Sequence, residues 1–302
     1  MKSSFARAAA VAALLAAPFT TAHSQKPKPF AAAAAVNAAL GRNGAPQADG
    51  TLKFAFPRGD MSVTMRGVAV KPGLALGSWV AFANMPDGRA MVMGDLVLAE
   101  GEVSPVMHAL QAGGVDQTAL HNHLLGETPR VMYMHIRAHG DPAAIARAIH
   151  AALARTKTPL GPPAAPAAAA AAVDMDTAGV ARALGVAGLM NGPVYQVGVP
   201  RREAITENGH VIPPSMGVAT AINFQPTGGG KAAISGDFVL RSSEVNPVIR
   251  ALRDHGIEVT AIHSHMLDEE PRLFFMHFWA NDDAVTLARG LRAALDQTTA
   301  RQ

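Results

Sequence analysis

The chain has 302 residues, 49% of them apolar and 16% charged, which is enough for two domains of about 100–150 residues and excludes an intrinsically disordered protein. The formal net charge is +3, and two of the cations, Lys2 and Arg7, lie at the very start, so no basic stripe exists and no nucleic acid is expected as a partner. There is no cysteine, which excludes disulfides, thiolate metal sites, thiol nucleophiles and the acylated cysteine of a bacterial lipoprotein.

Taken in chain order, residues 1–24 read as a cleavable secretory signal. Lys2 and Arg7 form a positive leader, residues 8–17 an apolar run, and Ala22-His23-Ser24 supplies small residues for cleavage. The run is shorter than the ~20 residues a spanning helix needs. No later segment is long and apolar enough either, so no transmembrane segment is expected. The expected location is the periplasm or the medium.

The remainder is one module written twice. Residues 94–153 align with 236–295 at a constant offset of 142 without a gap, and nearly half the positions are identical. Gly94-Asp95 matches Gly236-Asp237, Glu102-Val103 matches Glu244-Val245, and Pro72 corresponds to Pro214. Copy one is assigned to 25–155 and copy two to 173–302. Between them, 156–172 carries Pro159, Pro162, Pro163 and Pro166 before an alanine run, the composition of a semi-rigid linker.

Each copy opens with a short helix stopped at a glycine, Gly41 or Gly185. In copy one, strands are predicted at 52–56, 62–69, 79–83 and 90–98. A helix follows from Glu102 to about Gln111, with Val103, Val106, Met107 and Leu110 on one face. Strands at 117–124 and 130–138 come next, joined by a loop marked by Gly126 and Pro129. Asp141-Pro142 then opens a last helix that buries Ile145, Ile149 and Leu153. The expected fold class is α+β, with antiparallel sheets covered on one face by helices.

The chemistry-bearing pattern is His121-Asn122-His123-x3-Glu127 followed by His135, repeated as His263-Ser264-His265-x3-Glu269 and His277. Six of the twelve histidines fall at these paired positions. Residues i and i+2 of a strand share a face at roughly 6.5–7 Å, so two imidazoles can reach one ion at about 2.0–2.1 Å from each nitrogen. His135 joins them if residue numbers across the hairpin sum to an even value; a sum near 256 sets it opposite His121, and a slip of one residue turns it away. The three imidazoles of each copy are candidate metal ligands, with Glu127 and Glu269 as fourth ligands or general bases. Such a donor set suits Zn²⁺, Cu²⁺, Ni²⁺, Mn²⁺ or Fe²⁺ without choosing among them, and in an exported protein Zn²⁺ or copper is expected first. Arg130 and Arg272, each after a proline, are candidates to hold an anionic ligand or to pair with the loop glutamate. Glu102 and Glu244 read as helix caps.

The run E-V-x-P-V-x-x-A-L, then T-A-x-H-x-H-x3-E-x-P-R-x3-M-H, resembles the LppY/LpqO family of exported bacterial proteins. It stands at 102–110 and 118–135 and again at 244–252 and 260–277. The resemblance implies two modules and export, and it supplies no reaction. The H-x-H-x3-E string is also similar to the first metal motif of cupins, as a ligand set only. The leading expectation is an exported metal-binding protein, a metal-dependent hydrolase or oxidase if it is catalytic. The other is a non-catalytic envelope module, with a small-molecule or envelope partner, in which the motif only organises hairpins. Sequence leaves open whether the copies form two sites or one.

Overall fold

The computed structural model describes residues 27–161 and 173–300. The leader expected at 1–24, and the expected linker from 162 onward, lie outside the described residues.

Each copy folds around a six-stranded antiparallel sheet. In copy one the spatial order is Ala45–Pro46, Leu52–Pro57, Gly77–Asn84, Ala90–Ala99, Val131–Gly140 and Asp116–His121. In copy two it is Leu189–Asn191, Val194–Pro200, Ala219–Gly228, Lys231–Leu240, Phe274–Asp283 and Glu258–His263. The stretch expected as one strand at 62–69 is a small hairpin of Val63–Met65 and Val68–Val70, because Arg66 and Gly67 both adopt positive φ. The helix-terminating glycines behave as expected: Gly41 and Gly185 are left-handed, at φ 67° and 73°. Asp141 caps Pro142–Leu153 by accepting the Ala144 N–H at 2.7 Å.

One face of each sheet is covered by helices. In copy one, Val106 and Leu110 of Val103–Ala112, with Ile145, Ile149 and Leu153 of the last helix, pack on Leu96, Leu98, Met134 and Ile136. Burying each such side chain contributes about 1.5–3 kcal/mol. The opposite face is covered by the other copy. Met91 and Met93 share an apolar cluster with Met216, Met266 and Phe275, and Val97 and Tyr133 share another with Val194 and Trp279. Ala90–Ala99 and Lys231–Leu240 are therefore buried on both sides. The molecule is layered helix, sheet, sheet, helix.

Each copy also lays an arm over its neighbour. The Pro72–Ala75 turn docks on the second sheet, where Asn223 Nδ2 donates to Leu74 O and Gln196 Nε2 to Gly73 O. Reciprocally, the Pro214–Met216 turn docks on the first sheet, and Lys53 Nζ donates to Ser215 O at 2.9 Å. Gly94 and Gly236 sit where a side chain cannot: an added Cβ falls 2.7 Å from Trp79 O or 2.1 Å from Ala221 O. Close backbone approach in the central strand explains this matched pair.

Candidate functional site

The hairpin register decides which side chains face the second copy. Ala119 pairs with His135 and His121 with Tyr133. The residue numbers sum to 254, one pair away from 256 but even, as a shared face requires. The bulge between Gln117 and Ala119 sets this parity, because the pairs before it, Asp116 with Arg137 and Gln117 with Ile136, sum to 253. The first strand stops at His121, short of the expected 124. Asn122 Nδ2 turns back to Leu124 O at 2.7 Å, and Gly126 takes φ 92°, so His123 stands on the loop just past the strand. His265 does the same in copy two, whose strand stops at His263.

All six histidines meet between the two sheets. The His121 and His263 rings stack at the centre, 3.8 Å apart. His123 lies on His277 at 3.8 Å, and His265 lies on His135 at 3.6 Å. Outside these, His123 stacks on Tyr133 at 3.5 Å and His265 on Phe275 at 3.6 Å, so the two halves mirror each other. Reciprocal hydrogen bonds pin the loops across the interface: Thr118 Oγ1 donates to His265 O and Thr260 Oγ1 to His123 O, each at 2.6 Å.

Four of the rings form the tightest set. One ring nitrogen from each of His121, His263, His265 and His277 lies within 4.8 Å of all the others. Three come from copy two and one from copy one, so copy one's trio does not converge by itself. His123 and His135 flank the four. Each member of the four has a buried nitrogen with no hydrogen-bond partner: His121 Nδ1, His263 Nε2, both nitrogens of His265, and His277 Nε2. Such orphans are uncommon in folded proteins and call for a cause.

Sequence reasoning missed two residues here. Asp95 pairs with His135 across the sheet, and Asp237 pairs with His277. Asp95 Oδ2 lies 3.5 Å from His123 Nε2 and 3.8 Å from His135 Nε2. Asp237 faces the other side of its rings, 3.7 Å from His265 Nδ1 and 4.0 Å from His277 Nδ1, and His277 Nδ1 also meets Gly236 O at 2.8 Å. The signal was in the sequence: one acid in a long apolar strand, at the same place in both copies.

Burial sets the charge state. It holds the His263 imidazole down at about 4 and His277 at about 3. It also pushes His123, His135 and His265 well below the usual imidazole range, helped by repulsion from neighbouring imidazoles such as His263 and His277. Burial raises Asp95 to about 7 and Asp237 well above the carboxylate range. The imidazoles are thus neutral at pH 7 and offer lone pairs.

The remaining expected residues sit elsewhere. Glu127 Oε1 accepts the Val131 N–H at 3.1 Å, and Glu269 Oε1 accepts the Leu273 N–H at 2.9 Å. Both carboxylates close the loop between the strands, and neither is among the four converging groups. Arg272 pairs with Glu269 at 3.2 Å and donates to Met266 O, whereas Arg130 is exposed. Glu102 and Glu244 cap their helices through the Ala99 and Arg241 N–H groups. Each also grips a buried arginine that sequence reasoning missed, Arg58 or Arg201.

The fold and site together define a tandem-module protein with one histidine-rich centre built jointly by both copies. Residues 34–155 and 178–297 each match the family described as Domain of Unknown Function (DUF1259), and the chain belongs to that family. No curated protein matches the chain. Among solved structures, EtuB from Clostridium kluyveri is similar at 12% identity and a TM-score of 0.21, over 77% of this chain and 92% of that one. A trimeric bacterial microcompartment shell protein, PduB, is similar at 13% identity and a TM-score of 0.19, over 82% and 88%. At scores this low the likeness carries no argument. No helix among the described residues is long and apolar enough to cross a membrane.

Proposed function

We propose that this is an exported metal-binding protein whose two copies jointly hold a divalent transition metal at His121, His263, His265 and His277. The observation that carries the reading is the set of buried, unpartnered nitrogens on four rings that already converge. A tetrahedral ion with bonds of about 2.0–2.1 Å needs donors roughly 3.4 Å apart, so rings now within 4.8 Å close by about an ångström on binding. Four imidazoles suit Zn²⁺ or Cu²⁺. Asp237 and Gly236 O, facing the far nitrogens of His265 and His277, are the kind of outer partners that orient imidazole ligands.

Four protein donors with no open position favour a holding or stapling role over hydrolysis. The loop glutamates support the same view, since Glu127 and Glu269 are committed to backbone N–H groups and are poorly placed as bases. The leader at 1–24 supports export, and the motif resemblance to the LppY/LpqO proteins agrees with it. Elemental analysis of the purified full chain tests the reading. The expected result is a tightly held ion that disappears in His121→Ala and equally in His263→Ala, because each copy supplies part of one centre. A metal-free protein with no affinity for Zn²⁺ or Cu²⁺, or loss of only half the metal in each variant, would overturn it.

A further inference from the structure

A neutral imidazole has one lone pair and one N–H, so each of the four converging rings offers the ion one nitrogen and carries its proton on the other. In copy two the outer nitrogen is Nδ1 throughout. His277 Nδ1 meets Gly236 O at 2.8 Å, His263 Nδ1 meets Ser264 O at 3.4 Å, and His265 Nδ1 faces Asp237 Oδ2 from 3.7 Å. The Nε2 atoms of the same three rings are buried without partners. His121 is the other way round. Its Nδ1 is buried and unpartnered, while its Nε2 lies 3.1 Å from Nε2 of His123. The outer partner of this ring is therefore a second imidazole, two residues on in the same loop.

The geometry points to His123 as the positioning residue of the centre: it accepts the His121 Nε2–H and so turns His121 Nδ1 toward the ion, which the other three rings bind through Nε2. This rests on the four-imidazole reading and adds no further ion. Of the two ways to place the protons on the His121–His123 pair, only one leaves a lone pair on His121 Nδ1. It puts one proton on His121 Nε2 and the other on His123 Nδ1. His123 can carry that proton, because its side chain is 16% exposed and neither of its nitrogens is buried without a partner. Its ring is also fixed in place. It lies between Tyr133 at 3.5 Å and His277 at 3.8 Å, and its carbonyl accepts the Thr260 hydroxyl at 2.6 Å. Asp95 Oδ2, 3.5 Å from His123 Nε2, is beyond the 2.7–3.2 Å of a hydrogen bond, which leaves His121 as the nearer partner. The duplicated motif has thus split its tasks: His265 binds the ion, and its counterpart His123 holds another ligand. Partners that fix the tautomer and orientation of a ligating imidazole change metal affinity about 10–100-fold.

Long-range ¹H–¹⁵N correlation spectra of the labelled full chain loaded with Zn²⁺ test the inference without any substitution. His121 is expected as the Nδ1-bound, Nε2–H form, and His263, His265 and His277 as Nε2-bound, Nδ1–H forms. Two variants add an affinity readout by competition with a chelating dye. His123→Phe keeps the stacking and removes the acceptor, so it is expected to bind one equivalent of Zn²⁺ about 10–100-fold more weakly. His123→Gln, whose side-chain carbonyl can accept from His121 Nε2–H, is expected to recover most of that loss. A His121 ring bound through Nε2 overturns the assignment and leaves the four-imidazole centre standing. So does an affinity unchanged in His123→Phe, or loss of the whole equivalent in both variants, which would make His123 a ligand. A parent chain that binds no Zn²⁺ overturns the centre and the assignment together.

Discussion

His265→Phe separates what the centre contributes to folding from what it is kept for. His265 is 4% exposed and lies between Phe275 and His135, each at 3.6 Å. Both of its ring nitrogens are buried without a hydrogen-bond partner, and the nearest carboxylate oxygen is 3.7 Å away. Leaving a buried polar group unpartnered costs about 1–3 kcal/mol. A phenyl ring keeps the stacking and removes both orphans, against about 1 kcal/mol for its slightly larger volume. The metal-free variant is expected to be as stable as the parent or up to about 2 kcal/mol more stable. In a chain of this size that corresponds to a rise of up to about 3–4 °C in Tm.

With Zn²⁺ the order reverses. At a free concentration about 1,000 times its Kd, an ion bound only to the folded state adds about 4 kcal/mol. The parent gains this and the variant gains little. Urea unfolding of both proteins, once with a chelator and once with Zn²⁺, reads all four values. A metal-free His265→Phe that loses more than about 1 kcal/mol, the usual penalty of a core substitution, would refute the reasoning: its nitrogens would then be stabilising the fold unaided.

Acid weakens the metal-free fold by a sign that can be worked out. His263 and His277 titrate at about 4 and 3 when folded and near 6.5 when unfolded, so their stability is complete above about 6.5 and is lost as pH falls through 6.5 toward 3. Asp95, raised to about 7, acts oppositely over the same window, as does Asp237; six imidazoles outweigh two carboxyls. Urea midpoints are expected to rise from pH 4 to 6.5, and a flat or falling profile contradicts this. Glu244→Leu leaves the buried Arg201 with only Glu203 as a charged partner, and it is expected to lose about 3 kcal/mol or more in urea unfolding. Thr118→Val with Thr260→Val removes both 2.6 Å bonds that pin the histidine loops. Zn²⁺ affinity by competition with a chelating dye is expected to fall about 10–100-fold with the fold intact.

Much of the architecture could be read from the chain because it is local or periodic. The offset of 142 gave the duplication, and Gly41, Gly185 and Asp141 gave helix ends. Whether His135 shares a face with His121 stayed open in the sequence and is decided by the bulge between Gln117 and Ala119. What periodicity cannot carry is how two copies pack. Strict alternation would have marked a solvent face, but Ala90–Ala99 is buried at every position but the last, a sign that something covers its second side without saying what. The partner surface is set by arms such as Pro72–Ala75 reaching over the other sheet, contacts more than a hundred residues apart in sequence. The expected trio of copy two, His263, His265 and His277, does converge, and His121 of the other copy joins it; no spacing within one copy could show that fourth ring. Glu127 and Glu269 were drawn into the expected site by spacing alone. Their carboxylates find nearer partners in the N–H groups four residues on.

Diffraction from crystals of Zn²⁺-loaded protein, collected at the zinc absorption edge, asks the decisive question. An anomalous peak between the sheets, about 2.0–2.1 Å from one nitrogen each of His121, His263, His265 and His277, is the expected outcome. Zinc found only at the protein surface, or at a separate three-histidine site inside each copy, would contradict a shared centre.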